Sequence, residues 1–302
     1  MTAQVLVDGL MSGALIGLGA IGVTLTYSIL RFANFAHGEF ISFGAYATLL
    51  MASGISTLIV GSDQGIGQLS ISPAVIAASL VAMALTASLA LALDRILFSR
   101  LRGKGAAISL VMASFGASMA IRAALEFAFT SRPAYFSRDL QIARPIGFGL
   151  KATPDQIALL AVAAALLAGV HLLLTRTQIG RAMRAVSENP PLARVAGVDV
   201  DATIRFTWAI GGALASASGV MLGLLVQIRP FMGFDLLLPL FAAAILGGIG
   251  SAPGAFAGAL IVGLGEAVTV QLVGSEWRAG VAFLVLIVVL IVRPTGLAGR
   301  PA

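Results

Sequence analysis

Apolar runs long enough to cross a bilayer follow one another through most of this chain, and they leave few folds open. A helix needs about 20 apolar residues to span the hydrocarbon core. The runs fall at about 5–30, 40–58, 73–98, 106–129, 154–174, 204–228, 236–272 and 281–292. In lipid every backbone polar group must be satisfied within the protein, so only helices and closed barrels cross. Barrel strands are about half this length and alternate in polarity. The fold class is therefore all-α: a polytopic membrane protein of about eight spans, read as one transmembrane domain over residues 1–302. The charge content agrees, at 11% against about 25% in a soluble domain.

One run is interrupted. Leu236 to Leu246 is too short to span alone, breaks at Gly247-Gly248-Ile249-Gly250-Ser251-Ala252-Pro253-Gly254, and resumes at Ala255. Broken backbone at membrane depth is tolerated only where protein or a water-filled cavity satisfies it. Two readings stand: a break lining a route with Gly247, Gly248 and Gly250, or a hairpin turn at one membrane face. Small residues form close-packing stripes elsewhere. Gly9, Gly13 and Gly17 recur every fourth residue, and Gly211, Gly212, Ser216, Gly219 and Gly223 line a later run.

Ionisable groups inside such runs are functional candidates. Asn34-Phe35-Ala36-His37-Gly38-Glu39 is a polar knot between the first two runs. The preferred reading puts His37 and Glu39 at the membrane interface, capping the next helix; the alternative is a proton relay. Arg122 and Glu126 stand at i, i+4 and are read as a structural pair near a helix end. Glu266 lies within an apolar run, and the lone His171 reads as a membrane-edge residue.

Several chemistries are excluded. Without cysteine there is no disulfide, thiol nucleophile or thiolate metal site, and two histidines are too few for a histidine metal cluster. No carboxylate pair has catalytic spacing, so no catalytic residue or enzymatic activity is expected. No phosphate-binding Gly-x-x-x-x-Gly-Lys-Ser/Thr loop is present, so the chain itself is expected to bind neither ATP nor another cofactor. The net charge of +6 reflects the basic loops of a membrane protein rather than a nucleic-acid surface. Residues 1–4 lack a basic region, so no cleavable signal peptide is read there.

The longest polar stretch of the second half, 176–205, holds Arg176, Arg181, Arg184, Arg194 and Arg205. Within it, Ser187 to Gly197 predicts a short capped helix. Asn189 is the N-cap, Pro190 the first helical position, and Gly197 a left-handed stop. Leu192, Val195 and Ala196 share one face. About two turns are not stable alone, so the helix requires a docking partner, read as a protein on the cytoplasmic side. With the 94–105 and 176–205 loops inside, the N-terminus lies outside and the C-terminus inside. Twelve of the nineteen Lys and Arg residues then fall on the inner side, as the positive-inside rule requires. That arrangement also brings the Gly247–Gly254 break to the inner side.

Four motifs in order resemble the permeases of branched-chain amino acid ABC transporters, over nearly the whole chain. They are Asn34 to Phe40 with Gly44-Ala45-Tyr46; Glu188-Asn189-Pro190 through Ala193 to Gly197-Val198, with Phe206, Ala209, Ile210 and Gly211; Gly247 to Ala255; and Arg293-Pro294-Thr295-Gly296-Leu297. The chain is most similar to the shorter of the two paralogous permeases. The resemblance implies a subunit of a bacterial inner-membrane importer. Its implied partners are a paralogous permease, cytoplasmic ATP-binding subunits and a periplasmic binding protein that delivers leucine, isoleucine or valine. It implies that 187–197 is the coupling helix, with Glu188, Asn189, Ala193 and Gly197 in the coupling pattern. It also implies that Asn34, His37, Glu39 and the Gly-rich break flank the translocation route. The same importer type for an amide, urea or a sugar is the alternative; an ion-coupled secondary transporter is a further one.

Overall fold

Cap-and-proline pairs start three of the helices. Ser72, Thr153 and Asn189 each accept a hydrogen bond from a first-turn N–H, and each is followed by proline at the first helical position. Proline there loses no hydrogen bond and has its φ preset. The structure, a computed structural model, describes residues 4–59, 61–102, 107–137, 141–147, 150–293 and 296–298. Lys104, Arg138, Asp139, Pro294, Thr295 and Arg300 lie outside the described residues.

The helices are α1 (Gln4–Leu30), α2 (Ala36–Leu58), α3 (Pro73–Arg102), α4 (Ala107–Phe129), α5 (Pro154–Arg176), α6 (Gln178–Glu188), α7 (Pro190–Val195), α8 (Val200–Leu225), α9 (Met232–Gly247), α10 (Ala252–Leu272) and α11 (Ser275–Val292). Among the described residues, eight of these are long and apolar enough to cross a membrane. The all-α expectation holds, with one small addition. Strands β1 (Arg144–Gly147) and β2 (Leu150–Ala152) form an antiparallel hairpin in the 130–153 loop.

The glycine stripe of α1 faces α10. A Cβ at Gly9, Gly13 or Gly17 would press on Leu264, Leu260 and Phe256 respectively. Partner numbers fall by four as glycine numbers rise by four, so the two helices run antiparallel at backbone contact. The α8 stripe does the same work against several neighbours: Gly211 meets Gly22 and Thr26, Gly212 meets Thr86 and Ala87, and Gly219 meets Ile41.

Two helices begin inside the body rather than at its end. His37, the second residue of α2, packs against Gly22 of α1. Gly22 is eight residues before the end of α1, about 12 Å along its axis at 1.5 Å per residue. Residues 31–35 therefore double back before α2 starts. The chain after α8 also turns inward. Ser42 of α2 donates to the Pro230 carbonyl and accepts from the Gly233 N–H, both at 3.0 Å. The first turns of α2 and α9 thus overlap, and Gly38 and Gly233 touch through their backbones. Gly233→Ala would drive a methyl group into the Gly38 carbonyl. Overpacking of this kind costs about 1–3 kcal/mol, so the thermal unfolding midpoint in detergent is expected to fall by several degrees.

The interrupted run is a reversal, not a broken span. Gly254 packs on Gly247, and Gly258 on Ala243 and Gly247, which is the register of an antiparallel helical hairpin. Gly248 (φ 92°) and Gly250 (φ 90°) make the turn in the left-handed region, which glycine enters without a Cβ penalty. Ser251 then caps α10, with its side chain accepting from Gly254 N–H. At 16 residues α9 is about 24 Å long, short of a full crossing, while α10 crosses alone.

The ends of the bundle sort by loop. At one end, the Gly250 N–H donates to Thr24 Oγ1 (2.8 Å) near the end of α1. The tail joins it there, with Leu297 N–H on the Leu246 carbonyl (2.7 Å). Phe98, near the end of α3, stacks on Trp208 of α8, and Phe32 packs on Phe98. At the opposite end Gln4 meets Lys151, Gln68 meets Arg144, and Ser70 meets Asp155. The arginine-bearing end of α3 and the arginine-rich stretch after α5 therefore share an end with the Gly-rich turn.

Candidate functional site

A buried polar cluster lies where the first turns of α2 and α9 overlap. Glu39 is fully buried, one turn into α2. Arg122 of α4 binds it through Nε at 3.0 Å and through Nη2, both on Oε1. Ser118, one turn earlier on α4, donates to the same oxygen at 3.2 Å. The guanidinium carbon also lies 4.7 Å from the Phe231 ring centre and 4.3 Å from that of Phe234, at the start of α9. Cations are attracted to aromatic faces at such distances. One ion pair thus joins three helices. Phe35, just before α2, packs on Phe115 of α4 and Phe241 of α9, extending the aromatic wall.

This corrects two expectations. His37 and Glu39 are buried within the protein rather than set out at its surface; α2 starts four residues earlier than the apolar run and carries both into the interior. His37 hydrogen-bonds with the Gly19 carbonyl at 3.1 Å. Arg122 pairs with Glu39 on another helix rather than with Glu126 on its own. A local i, i+4 pairing is all that a sequence displays, whereas Glu39 lies 83 positions away. A signal was present all the same. Ser114, Ser118 and Arg122 form a polar stripe spaced by four on an apolar helix, and Ser114 accepts from the Phe35 N–H. Phe231 and Phe234 carried no sequence signal. Asn34 is buried just before α2, its Oδ1 accepting from the Ala36 N–H at 3.1 Å.

Glu266 is also paired: Arg278 donates to it at 2.8 Å and reaches Ser12 of α1. It fastens α10, α11 and α1 together. Gly247, Gly248 and Gly250 sit in the hairpin turn, away from the Glu39 cluster.

The second candidate region is the basic end. Thr177 caps α6, whose Met183 and Val186 are buried against the bundle. Asn189 then caps α7, accepting from Leu192 N–H at 3.0 Å. Gly197 (φ 85°) stops it, with the Val198 N–H returning to the Ala193 carbonyl at 3.0 Å. That pattern satisfies the last carbonyls of a helix. Ala193 is buried against the chain's own body, so the short helix docks partly on its own bundle. Its outward side carries two large apolar residues beside Arg194: Leu192 is 64% exposed and Val195 87%. Glu188, Asn189 and Gly197 are exposed beside it. Arg31, three residues before the polar knot and itself at φ 59°, ties this region to the end of α1 by donating from Nη2 to the Ser187 carbonyl at 2.7 Å.

The comparisons with known proteins fit this geometry. The family described as branched-chain amino acid transport system / permease component matches residues 5–290. The chain belongs to that family. It is 33% identical to the high-affinity branched-chain amino acid transport system permease protein BraD of Pseudomonas aeruginosa, over 99% of this chain and 96% of that protein. It is 32% identical to the permease protein LivH of the corresponding system of Escherichia coli K12, with the same coverage. The probable LivH of Methanocaldococcus jannaschii is 30% identical over 98% of this permease and 92% of that protein. All three are transport permeases by name, and this chain is a multi-pass membrane protein of their kind.

Proposed function

We propose that this chain is one permease subunit of an ATP-driven importer of branched-chain amino acids in the bacterial inner membrane. The observation that carries the reading is end-to-end similarity to permeases named for that transport, in a chain with an exposed short helix at its basic end. The partners are a paralogous permease, cytoplasmic ATP-binding subunits that hold the ATP, and a periplasmic binding protein. The chain catalyses no covalent step and holds no cofactor of its own. The arginine-rich end is cytoplasmic and the N-terminus periplasmic, on the positive-inside rule.

The division of labour follows from the two regions described above. Residues 188–197 couple to the ATPase, through Leu192 and Val195 together with Glu188, Asn189 and Gly197. The overlap of α2 and α9 lines the route, with Asn34, His37 and Glu39 at its edge. Helices that start inside a membrane bundle offer the positive ends of their dipoles there. Gly247, Gly248 and Gly250 serve the hinge at the cytoplasmic end rather than mid-route. The reading is tested by purifying the tagged protein gently from its native membrane and identifying its companions. Recovery of an ATPase and a second permease, with ATP-dependent leucine uptake on reconstitution, is the expected result. Uptake by this chain alone would replace it with a secondary transporter.

Arg31 is the mechanical link in this scheme. A left-handed conformation costs a non-glycine residue about 1–2 kcal/mol, and the Arg31 N–H already closes α1 on the Tyr27 carbonyl. Arg31→Gly therefore keeps the helix stop and relieves strain, while removing the Ser187 contact. The expected outcome is an unfolding midpoint at or above the parent's with uptake reduced several-fold, measured in proteoliposomes.

A further inference from the structure

We propose that Glu39 and Arg122 form a station that holds the charged head of a zwitterionic amino acid in transit, with Phe231, Phe234, Phe35 and Phe115 beside its side chain. This rests on the reading of the chain as an amino acid permease, and it assigns the cargo a place within it.

Four observations carry the inference. First, an ion pair is a costly way to join helices in lipid: desolvation offsets its attraction and well-packed apolar residues do as well or better, so ionisable groups inside a membrane bundle are functional candidates by default. Second, the pair is lopsided. Arg122 Nε and Nη2 and the Ser118 hydroxyl converge on Oε1, while the buried Oε2 of Glu39 has no hydrogen-bond partner among the described residues. A carboxylate oxygen without a donor is matched by an ammonium group, which brings three. The guanidinium in turn suits a carboxylate, which it binds in a two-pronged fork. Third, the station has an open side at Arg122, with Glu39 directly behind it and without exposed surface. The Arg122 side chain is 14% exposed, and Phe115 (43%), Phe231 (46%) and Phe234 (38%) stand open on the same side. That side is where α4 and α9 flank the start of α2. Fourth, the surroundings sort a ligand by its parts: one negative and one positive group in the floor, and aromatic faces beside them for an aliphatic chain.

The test uses the whole reconstituted importer with its binding protein, ATPase and partner permease. Leucine uptake by the parent comes first; its absence would sink the transport reading, not this assignment. Given uptake, Glu39→Gln and Arg122→Lys are each expected to lower it at least tenfold while the complex is recovered in full. Uptake within twofold of the parent in both variants overturns the station. The double variant Glu39→Arg with Arg122→Glu keeps an ion pair but reverses its layout. It is expected to assemble and not to transport, and recovered uptake would reduce the pair to a structural bridge. Should the reversed pair fail to assemble, a leucine analogue carrying a diazirine on its side chain decides the matter in the parent complex. Covalent label within 35–42, 115–122 or 231–241 supports the station. Label confined to other segments overturns it.

Discussion

Leu192→Glu combined with Val195→Glu is expected to yield a permease that inserts, folds and keeps its partner permease, yet loses its ATPase and with it nearly all uptake. Both side chains stand out from α7, at 64% and 87% exposure, so nothing inside the chain resists the change. In the assembled importer they would lie in the ATPase contact. A charge buried unpaired in an interface costs about 2–5 kcal/mol, and each 1.4 kcal/mol is tenfold in affinity. One substitution alone then weakens docking by about 30-fold or more, and two together leave little complex at ordinary concentrations. Quantifying the ATPase that co-purifies, alongside the thermal midpoint of the permease, separates lost docking from lost folding. An undiminished yield of ATPase would remove α7 from the coupling role. Ala193→Glu is a poorer probe, because Ala193 is buried on the chain's own bundle and the variant would unfold its own helix. Gly197→Asp is a gentler one. Aspartate tolerates the left-handed region better than most residues, and no atom lies within 4 Å of where its Cβ would go.

What the sequence made legible was set by local chemistry. Asn189 with Pro190 announced the start of α7, and Gly197 its end. The glycines of α1, spaced by four, announced a close-packed face, and α10 meets that face. What it hid was set by distance and by dihedral angle. The polar knot at 34–39 looks like surface because its compensating partner, Arg122, lies on another helix. Once that partner is in place, burial of Glu39 becomes affordable and α2 can begin four residues early. A run of glycines shows that the chain is free to turn, but not that Gly248 and Gly250 take positive φ and send it back. Phe231 and Phe234 read as ordinary loop and helix residues until Arg122 is found against them.

The Glu39–Arg122 pair supplies the second large effect, because removing one partner and removing both have opposite consequences. Arg122→Ala strands a carboxylate that has no exposed surface and only Ser118 left to donate to it. Breaking a buried pair in this way costs about 3–5 kcal/mol, a large share of the roughly 5–15 kcal/mol that holds an ordinary domain together. The variant is expected to be lost from the membrane at growth temperature, or to melt far below the parent in detergent. Replacing both partners by methionine removes the stranded charge and much of the desolvation cost. Methionine fills irregular space readily and packs well against aromatic rings, and Phe231 and Phe234 are at hand. Glu39→Met with Arg122→Met should therefore restore the midpoint to the parent's or above it. If the pair were a brace, uptake would return with stability. If the pair serves the cargo, the rescued protein assembles, withstands heat and transports nothing, so comparing melting with uptake in this one variant tells support from function.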